Sequence, residues 1–388
     1  MERDVMDESN SFLLSVGRGV RKQRVSFWSE EETTSIRLTK TANGRNAGLW
    51  FRTAGCTYDA QGGCIMCDYS NGPYTSPEQM ISYIKRGLKS IPSDCTNLLV
   101  SPSGSMLDAK EVPLEALTGI LRELKKTPFR IFFETRAETA GEDVIGVCKD
   151  ILGDRFGGLY IGLESASPFV LKYCVNKQLR LSSVTEAISI CKRHRVEVIL
   201  NVLVGIPFLS SEESIRSAAD TVNWGLSSGA CQCDLFPIHI KNSTPLSCLY
   251  EAGLYSPPSL WELLEVLNRL DGSARRKVGL SWYTSNGSYN IISSPSTCPL
   301  CVDHVIECFD GFVRTKSPEW IEKLNKIDCP CKIKWEKKAS KPLPERILEG
   351  YRVLAGRLIN ARQKDIDWDA ITEQVNLDWA ETGGCNAL

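Results

Sequence analysis

The chain has 388 residues, of which 42% are hydrophobic and 24% are charged, and its net charge is −1. These values are ordinary for a soluble globular protein, and the net charge near zero excludes a strong global attraction to nucleic acid. No apolar run approaches the ~20 residues that a membrane-spanning helix needs. The chain has sixteen cysteines and begins with charged residues instead of a secretory leader, which indicates metal ligation in a reducing cytoplasm rather than a disulfide scaffold.

Short apolar runs alternate with helical patterns from residue 49 onwards, and the alternation predicts six strand-plus-helix units. Capping-box spacings mark helix starts at Ser76, Ser183 and Ser210, and the leucines of residues 114–124 recur with a helical period. This pattern predicts an α/β fold with a parallel sheet, either a partial barrel or an open doubly wound sheet, with its chemistry at the carboxyl ends of the strands. The predicted strands cover residues 49–53, 97–101, 129–134, 158–164, 196–205 and 233–240.

The rhythm of the chain changes after about residue 245. A helix is predicted to open in residues 255–261 and to run to residue 267, a strand covers residues 278–283, and a last helix covers residues 344–362. A lysine-rich run at residues 332–341 surrounds Trp335. We therefore expect three parts, which are an N-terminal extension (1–48), a barrel (49–245) and a C-terminal extension (246–388).

Three cysteines follow the first predicted strand in the pattern Cys56-x7-Cys64-x2-Cys67. Three thiolates on one loop can bind three irons of a 4Fe–4S cluster, since each iron normally takes one cysteine. The missing fourth ligand would leave one iron open for a substrate, as catalytic metal sites do. The alternatives are a zinc knuckle that lacks its fourth ligand, or three unrelated buried thiols.

Two further cysteine pairs lie about thirty residues apart in the C-terminal extension. Cys298 and Cys301 form one pair, and Cys329 and Cys331 form the other. Four thiolates in two short-spaced pairs are typical of a closed structural zinc site. An auxiliary 4Fe–4S cluster would accept the same four ligands, and free buried thiols are the third possibility.

The cysteine triplet, which is followed by the aromatic Tyr69, resembles the cluster loop of radical S-adenosylmethionine (SAM) enzymes, although its first gap is seven residues rather than the common three. The six units resemble the partial (β/α)6 TIM-type barrel of that superfamily, here with a C-terminal metal-binding α+β extension. Over residues 45–335 the chain is similar to the branch that contains the archaeosine-forming enzyme and is related to the Elongator catalytic subunit. The motifs that carry this similarity are residues 103–108, 134–136, 162–165, 236–239 and 255–262, together with both C-terminal cysteine pairs.

The resemblance implies a set of SAM contacts at successive strand ends. The turn at residues 103–105 would meet the SAM amino group, Arg136 its carboxylate, Glu164 the ribose hydroxyls and Asn201 the adenine. His239 and Asp108, at the tops of strands, are the candidate catalytic contacts to substrate. The implied cofactor-binding residues are Ser103, Gly104, Ser105, Arg136, Glu164 and Asn201, and the implied metal ligands are Cys56, Cys64, Cys67, Cys298, Cys301, Cys329 and Cys331.

The resemblance also implies an activity. A 4Fe–4S cluster would reductively cleave SAM to a 5′-deoxyadenosyl radical that abstracts hydrogen from substrate, and the archaeosine-forming relatives imply C–N cleavage on a modified tRNA base. An electron donor such as flavodoxin or ferredoxin would be the partner, and no membrane is involved. Two alternatives remain, which are a radical SAM enzyme acting on a small metabolite or natural-product precursor, and a non-catalytic zinc-containing protein that binds nucleic acid.

Overall fold

The computed structural model describes residues 8–22, 24, 28, 32–41, 44–285, 290–356 and 366–382. Its strands are β1 (Thr34–Thr41), β2 (Gly44–Phe51), β3 (Cys95–Ser101), β4 (Arg130–Thr135), β5 (Phe156–Glu164), β6 (Glu197–Val204), β7 (Gln232–Pro237), β8 (Ile240–Lys241), β9 (Val278–Leu280) and β10 (Ile291–Ser293). Eight of them form one curled sheet in the order β1-β2-β3-β4-β5-β6-β7-β9, and β8 pairs with β10 in a separate ribbon.

The helices cover the outside of this sheet and build the C-terminal part. They are α1 (Glu8–Arg21), α2 (Thr57–Ala60), α3 (Pro77–Leu88), α4 (Leu114–Leu124), α5 (Glu142–Leu152), α6 (Leu181–Arg193), α7 (Ser211–Ser227), α8 (Pro245–Glu251), α9 (Leu260–Arg269), α10 (Gly272–Arg276), α11 (Val302–Thr315), α12 (Glu319–Lys326), α13 (Cys331–Lys334), α14 (Leu343–Ala355) and α15 (Trp368–Glu381). A π-helical turn spans Val170–Val175. In the part of the chain that the structure describes, no helix is long and apolar enough to cross a membrane.

The predicted α/β partial barrel is confirmed. Strands β2 to β7 lie side by side in chain order and are all parallel, as expected when each strand is followed by a crossover helix. Strands such as β6 are buried along most of their length, because helices and loops cover both faces of a parallel sheet. All six predicted strands are present, although the first begins five residues earlier than predicted, at Gly44, and the last ends at Pro237 rather than at residue 240.

The sheet is larger than the six predicted strands. Strand β1 pairs with β2 in antiparallel register from Thr34 opposite Phe51 to Thr41 opposite Gly44, and β9 adds to the other side of the sheet, parallel to β7. Strand β1 was not predicted. It alternates apolar and polar residues and has no continuous apolar run of the kind that marks a buried parallel strand. Strand β9 was predicted as a strand, at residues 278–283, but its place in the sheet was not.

Two of the three predicted capping boxes are confirmed and one is wrong. The side chain of Ser76 accepts from Gln79 N and that of Ser210 accepts from Glu213 N, and both reciprocal bonds are present. Helix α6 begins at Leu181 instead, with Arg180 as an N-cap whose side chain makes no capping bond. Ser183 therefore lies inside the first turn, where it has no role as a cap. The last predicted helix corresponds to α14, and its predicted residues 357–362 lie outside the described residues.

Two hydrophobic cores hold the fold together. The larger one joins the sheet to helices α3 to α7 and continues into α9, α11 and α12. The second core packs α1 and the π-helical turn against α8, α14 and α15. Since both cores contain residues from the last 140 positions, the C-terminal segment packs on the barrel over a wide area. A cavity lies at the carboxyl ends of the parallel strands.

Candidate active site and metal centre

A cavity opens at the carboxyl ends of β2 to β7, where the sequence places the chemistry. Its volume is about 1300 Å³, counting the solvent at its open mouth. Among its lining residues are many of those predicted from sequence, namely Cys56, Cys64, Cys67, Gly104, Arg136, Glu164, Asn201 and His239. Ser103, Ser105 and Asp108 lie behind the wall and do not line it.

The cysteine loop leaves β2 and folds back on itself before it reaches the third cysteine. The seven residues between Cys56 and Cys64 contain the single turn α2 and two glycines. Cys56 N donates to Tyr69 O at 3.3 Å, and Cys67 N donates to Cys64 O at 3.1 Å. These bonds close the loop at its ends and in its middle, so that all three thiols face one space.

The three thiols lie in a partly buried setting, and two of them are held in the protonated form. Burial raises the pKa of Cys56 to about 11, and hydrogen bonding to Cys64 together with burial raises the pKa of Cys67 well above its usual value. Metal binding must therefore displace protons from these groups. The three sulfurs do not converge on one point as ligands of a single ion would. This suits a cluster in which each thiolate binds a different iron.

Each thiol also lies close to one cation. Arg136 Nη1 is 3.6 Å from Cys56 Sγ, and the ammonium groups of Lys177 and Lys241 interact electrostatically with Cys64 and Cys67 respectively. Desolvation lowers the pKa of Lys177, but Glu164 and Cys64 outweigh it and raise that pKa above its ordinary value. The sequence analysis did not find Lys177, which lies in an irregular stretch after the π-helical turn and belongs to no motif.

The turn after β3 approaches the cysteine loop so closely that only glycine fits at position 104. A Cβ atom on Gly104 would lie 2.2 Å from Glu111 Oε2 and 3.1 Å from Cys56 N. The preceding Ser103 adopts a left-handed backbone conformation with φ of 58°. The hydroxyl of Ser105 is bonded to Thr135 and Thr139 and accepts from Arg136 N. Ser105 thus stabilises the turn from behind.

Glu111 ties these segments together, and sequence reasoning missed it because it lies in a short turn without a pattern. Its fully buried carboxylate accepts from Thr57 N at 2.8 Å, from Thr57 Oγ1 at 2.9 Å and from Ser105 N at 2.5 Å. It also accepts from Arg136 Nη1 at 2.5 Å. One carboxylate therefore connects the cysteine loop, the glycine turn and the end of β4.

Arg136 is surrounded by carboxylates. Besides Glu111 it pairs with Asp108 and, through Nε at 2.8 Å, with Glu138. Desolvation lowers its pKa, but Glu111 more than compensates, so the pKa of Arg136 is raised. Asp108 is occupied by this pair and by Thr57 Oγ1, which explains why it does not reach the cavity. Of the three acidic partners, Glu138 is the most exposed, at 47% of its side chain.

Two polar residues mark the part of the wall made by β5 and β6. Glu164 lies at the end of β5 with a φ of 69° and pairs with Lys177 Nζ at 2.9 Å. Asn201 on β6 has a buried side-chain oxygen for which no hydrogen-bond partner is found among the described residues. A buried polar atom without a partner is costly, so this oxygen is suited to a ligand that donates a hydrogen bond in the cavity.

His239, Trp282 and Glu134 also line the cavity. His239 is 7% exposed, its Nε2 contacts Trp282 O, and its Nδ1 lies 3.1 Å from Ser294 Oγ. Since a carbonyl oxygen can only accept, Nε2 carries the proton. Burial lowers the pKa of His239 and keeps the imidazole neutral near pH 7. Burial also raises the pKa of Glu134, which accepts hydrogen bonds from Ser101 and Trp50.

The four C-terminal cysteines converge on one point, as the sequence predicts. Sγ atoms are 3.7 Å apart for Cys298 and Cys301, 3.4 Å for Cys298 and Cys329, and 3.5 Å both for Cys301 and Cys331 and for Cys329 and Cys331. The indole N–H of Trp261 donates to Cys331 Sγ at 3.2 Å. Desolvation acts to raise the pKa of Cys331, but hydrogen bonds from the Cys298 backbone and from Trp261 outweigh it and lower the pKa to about 6.

No family model matches the chain, whereas named relatives do. The chain is 28% identical over 298 residues to archaeosine synthase subunit beta of Methanosarcina acetivorans, covering 74% of this chain and 83% of that protein. It is 26% identical over 328 residues to archaeosine synthase subunit beta of Thermococcus kodakarensis, covering 80% of this chain and 95% of that one.

Solved structures with a similar chain path include an archaeal Elp3 from Methanocaldococcus infernus and coproporphyrinogen III oxidase from Escherichia coli, a radical SAM enzyme. The first has a TM-score of 0.44 and 16% identity over 61% of this chain and 59% of that chain, so less than two thirds of it is matched. The second has a TM-score of 0.38 and 15% identity, over 66% and 54% of the two chains. The predicted resemblance to the archaeosine-forming enzyme is confirmed by these relatives.

Proposed function

We propose that this relative of archaeosine synthase subunit beta is a radical SAM enzyme that binds a 4Fe–4S cluster on Cys56, Cys64 and Cys67. The observation that supports it most is the shared cavity, because the three thiols and four of the residues expected to contact SAM, Gly104, Arg136, Glu164 and Asn201, come from five different segments and line one space. When bound, the cluster would supply the electron that splits SAM into methionine and a 5′-deoxyadenosyl radical.

We assign the amino-acid end of SAM to the wall beside Cys56. At Gly104 the backbone can approach the ligand without a side chain in the way. Arg136 can exchange its exposed partner Glu138 for the SAM carboxylate, while Asp108 and Glu111 keep holding its guanidinium in place. An arginine that already has a fixed orientation loses little freedom when the second carboxylate binds.

The nucleoside end would extend towards β5 and β6. Glu164 is suited to accept from the ribose hydroxyls, since its pairing with Lys177 holds the carboxylate in one position. The unpartnered Asn201 oxygen can accept from the exocyclic amino group of adenine. The rest of the wall is largely aromatic and apolar, which would keep water and stray hydrogen donors away from a reactive radical. Trp50, Tyr160, Leu203, Phe236 and Trp282 contribute this surface.

We propose a modified tRNA base as the substrate, with C–N cleavage as in archaeosine formation. The relatives described as archaeosine synthase subunit beta support this, and since each of them is a subunit, they also support a second chain as partner. His239 and Glu134 face the substrate side of the cavity and can hold its polar groups. A flavodoxin or ferredoxin would donate the electron. Binding of tRNA that weakens steeply with salt would support this substrate. A chain that binds no tRNA at any salt concentration would favour a small metabolite instead.

The decisive experiment is anaerobic reconstitution with iron and sulfide, followed by iron counting and an assay for 5′-deoxyadenosine with dithionite and SAM. We expect about four irons per chain at the barrel site and SAM cleavage, both lost in Cys64→Ala. Cys231→Ala is the matched control because Cys231 is exposed and outside the cavity. A reconstituted chain that stays colourless, or a Cys64→Ala variant that matches Cys231→Ala, would refute the assignment.

We propose a structural zinc for the C-terminal cysteines. Tetrahedral ligation with a Zn–S length of about 2.3 Å requires sulfurs about 3.8 Å apart, and the four measured separations of 3.4–3.7 Å support a single ion. An auxiliary cubane would need wider spacing, since its thiolates bind separate irons. The N–H of Trp261 would orient Cys331 as a second layer of interactions around the metal. Metal analysis separates this from the purely zinc-containing binding protein, in which no iron would appear.

A further inference from the structure

Helix α1 lies directly against the cysteine loop, backbone to backbone. A Cβ atom on Gly17 would lie 2.2 Å from Gly62 O, and a Cβ on Gly62 would lie 2.1 Å from Leu14 O. Gly62 also has a φ of +96°, which disfavours any other residue. Two facing glycines therefore allow the helix to touch the seven-residue interval between Cys56 and Cys64.

A row of arginines at one-turn spacing extends this contact along the loop. Arg18 Nη1 donates to Gln61 O at 3.2 Å. Arg21 donates through Nη1 to Ala60 O at 2.9 Å and through Nε to Ser70 O at 3.1 Å. The carbonyls of an irregular loop lack the regular partners of a helix or sheet. The arginines satisfy them from one rigid element.

Arg24, which lies beyond the last residue of α1, makes the shortest of these contacts and reaches the third cysteine. Its Nη2 donates to Cys67 O at 2.6 Å, and its Nη1 pairs with Asp59 Oδ2 at 2.6 Å. Asp59 in turn accepts from Ser70 N and Oγ. The Arg24 and Asp59 side chains are only 5% and 3% exposed, so this is a buried and well-satisfied pair that links both ends of the loop.

At the other end of α1, Asn10 holds the loop indirectly, through Asn176. Asn10 Nδ2 donates to Asn176 Oδ1 at 2.9 Å, and Asn176 Nδ2 donates to Gly63 O at 2.9 Å. Tyr58 OH donates to Asn176 O at 2.7 Å. Asn176 is buried and left-handed, with a φ of 56°. The long first interval is thus held from the side of the π-helical turn as well as from α1.

We propose that α1 and Arg24 form a clamp that holds the cysteine loop in the geometry in which its three thiols face the cavity. Gly17 and Arg24 are positioning residues in this proposal, since neither lines the cavity. The proposal explains why the seven-residue interval is tolerated: α1 orders the extra residues that a shorter interval would not contain. It rests on the proposed function only for the ligand role of the cysteines, because the order of the loop can be measured without metal.

The first test uses hydrogen exchange of residues 56–70 in the metal-free full-length chain. Gly17→Ala should push α1 off Gly62 and speed exchange in this segment by on the order of tenfold, while the strands of the sheet exchange as before. Gly146→Ala is the matched control, since Gly146 also lies in a helix and a Cβ there meets nothing within 4 Å. Equal loop exchange in both variants would overturn the clamp.

The second test uses Arg24→Lys, which keeps a cation beside Asp59 and so preserves the buried charge balance. An ammonium cannot reproduce the planar fork that bonds Cys67 O, Asp59 and Ser243 O together. We expect faster exchange at residues 67–70 and, after reconstitution, a broadened electron paramagnetic resonance signal with quicker iron loss to a chelator. Arg45→Lys, which changes an exposed ion pair with Asp94 outside the cysteine loop, should leave all three unchanged. Wild-type exchange and signal in Arg24→Lys would refute the clamp, whereas a loosened loop in a chain that never cleaves SAM would refute only the proposed function.

Discussion

Glu111→Gln is expected to destabilise the part of the site built around Glu111, because this one carboxylate holds the cysteine loop, the glycine turn and Arg136. The amide keeps one acceptor oxygen but presents N–H groups to the remaining donors, so Thr57, Ser105 and Arg136 cannot all be satisfied. The Glu111 side chain is 0% exposed and that of Arg136 is 16% exposed, so water cannot replace the lost bonds.

The expected cost follows from this burial. Removing one partner of a buried ion pair typically costs about 3–5 kcal/mol. With an unfolding entropy of about 2.1 cal/mol/K per residue, the 388 residues give about 0.8 kcal/mol/K, so the midpoint of thermal unfolding should fall by about 4–6 °C. The control is Glu115→Gln, at an exposed position in the first turn of α4, which should shift the midpoint by less than about 1 °C.

Differential scanning calorimetry of both variants at pH 7 gives the comparison directly. A double-mutant cycle with Arg136→Met then isolates the pair, and the double variant should be less destabilised than the sum of the two single variants. Equal midpoints for Glu111→Gln and Glu115→Gln would refute the reasoning, because the four hydrogen bonds would then contribute no net stability.

Three further outcomes are expected. Cys301→Ser should lose one equivalent of zinc and become protease-sensitive between the two cysteine pairs. The iron of the barrel site should stay intact, as in the control Cys231→Ser. Loss of about four irons in Cys301→Ser would instead indicate an auxiliary cluster. Gly104→Ala should fail to retain barrel iron, since its Cβ would overlap Glu111, and full iron retention would contradict the close approach. Burial lowers the pKa of His239, so the unfolded chain binds the proton more readily and stability should fall as pH drops below about 6.5, by at most about 1.4 kcal/mol per pH unit. His239→Gln should flatten this part of the pH profile and the exposed His304→Gln should not, and identical profiles would refute the assignment.

The sequence predicts what depends on local pattern. The strands appear as apolar runs, the capping boxes at Ser76 and Ser210 start their helices, and the C-terminal cysteine pairs meet as their spacing indicates. The capping spacing at Ser183 shows the limit of such signals, because Ser183 and Glu186 have the right types and spacing although the helix begins two residues earlier, at Leu181. Tertiary packing, rather than the local spacing, decides at which residue such a helix begins.

The contacts that shape the site depend on residues far apart in the chain. Glu111 meets Thr57 across 54 positions, and Arg24 meets Ser243 across 219. Neither residue belongs to a periodic stretch, so its partner cannot be read from spacing. The predicted hydroxyl of Ser105 illustrates the converse, since a residue in the right motif is used to brace Thr135 and Thr139. Side-chain direction at a turn is fixed by tertiary contacts.

The position of β9 beside β7 has a consequence for folding while the chain is being synthesised. Strand β7 ends at Pro237, and the residues that cover its free side, Val278–Leu280, emerge from the ribosome only some forty positions later. Until then β7 exposes unpaired backbone groups, which makes it a template for contacts with other chains. A chain stopped at residue 245 would keep that edge permanently, so expression of the barrel alone should yield aggregates that the longer chain avoids.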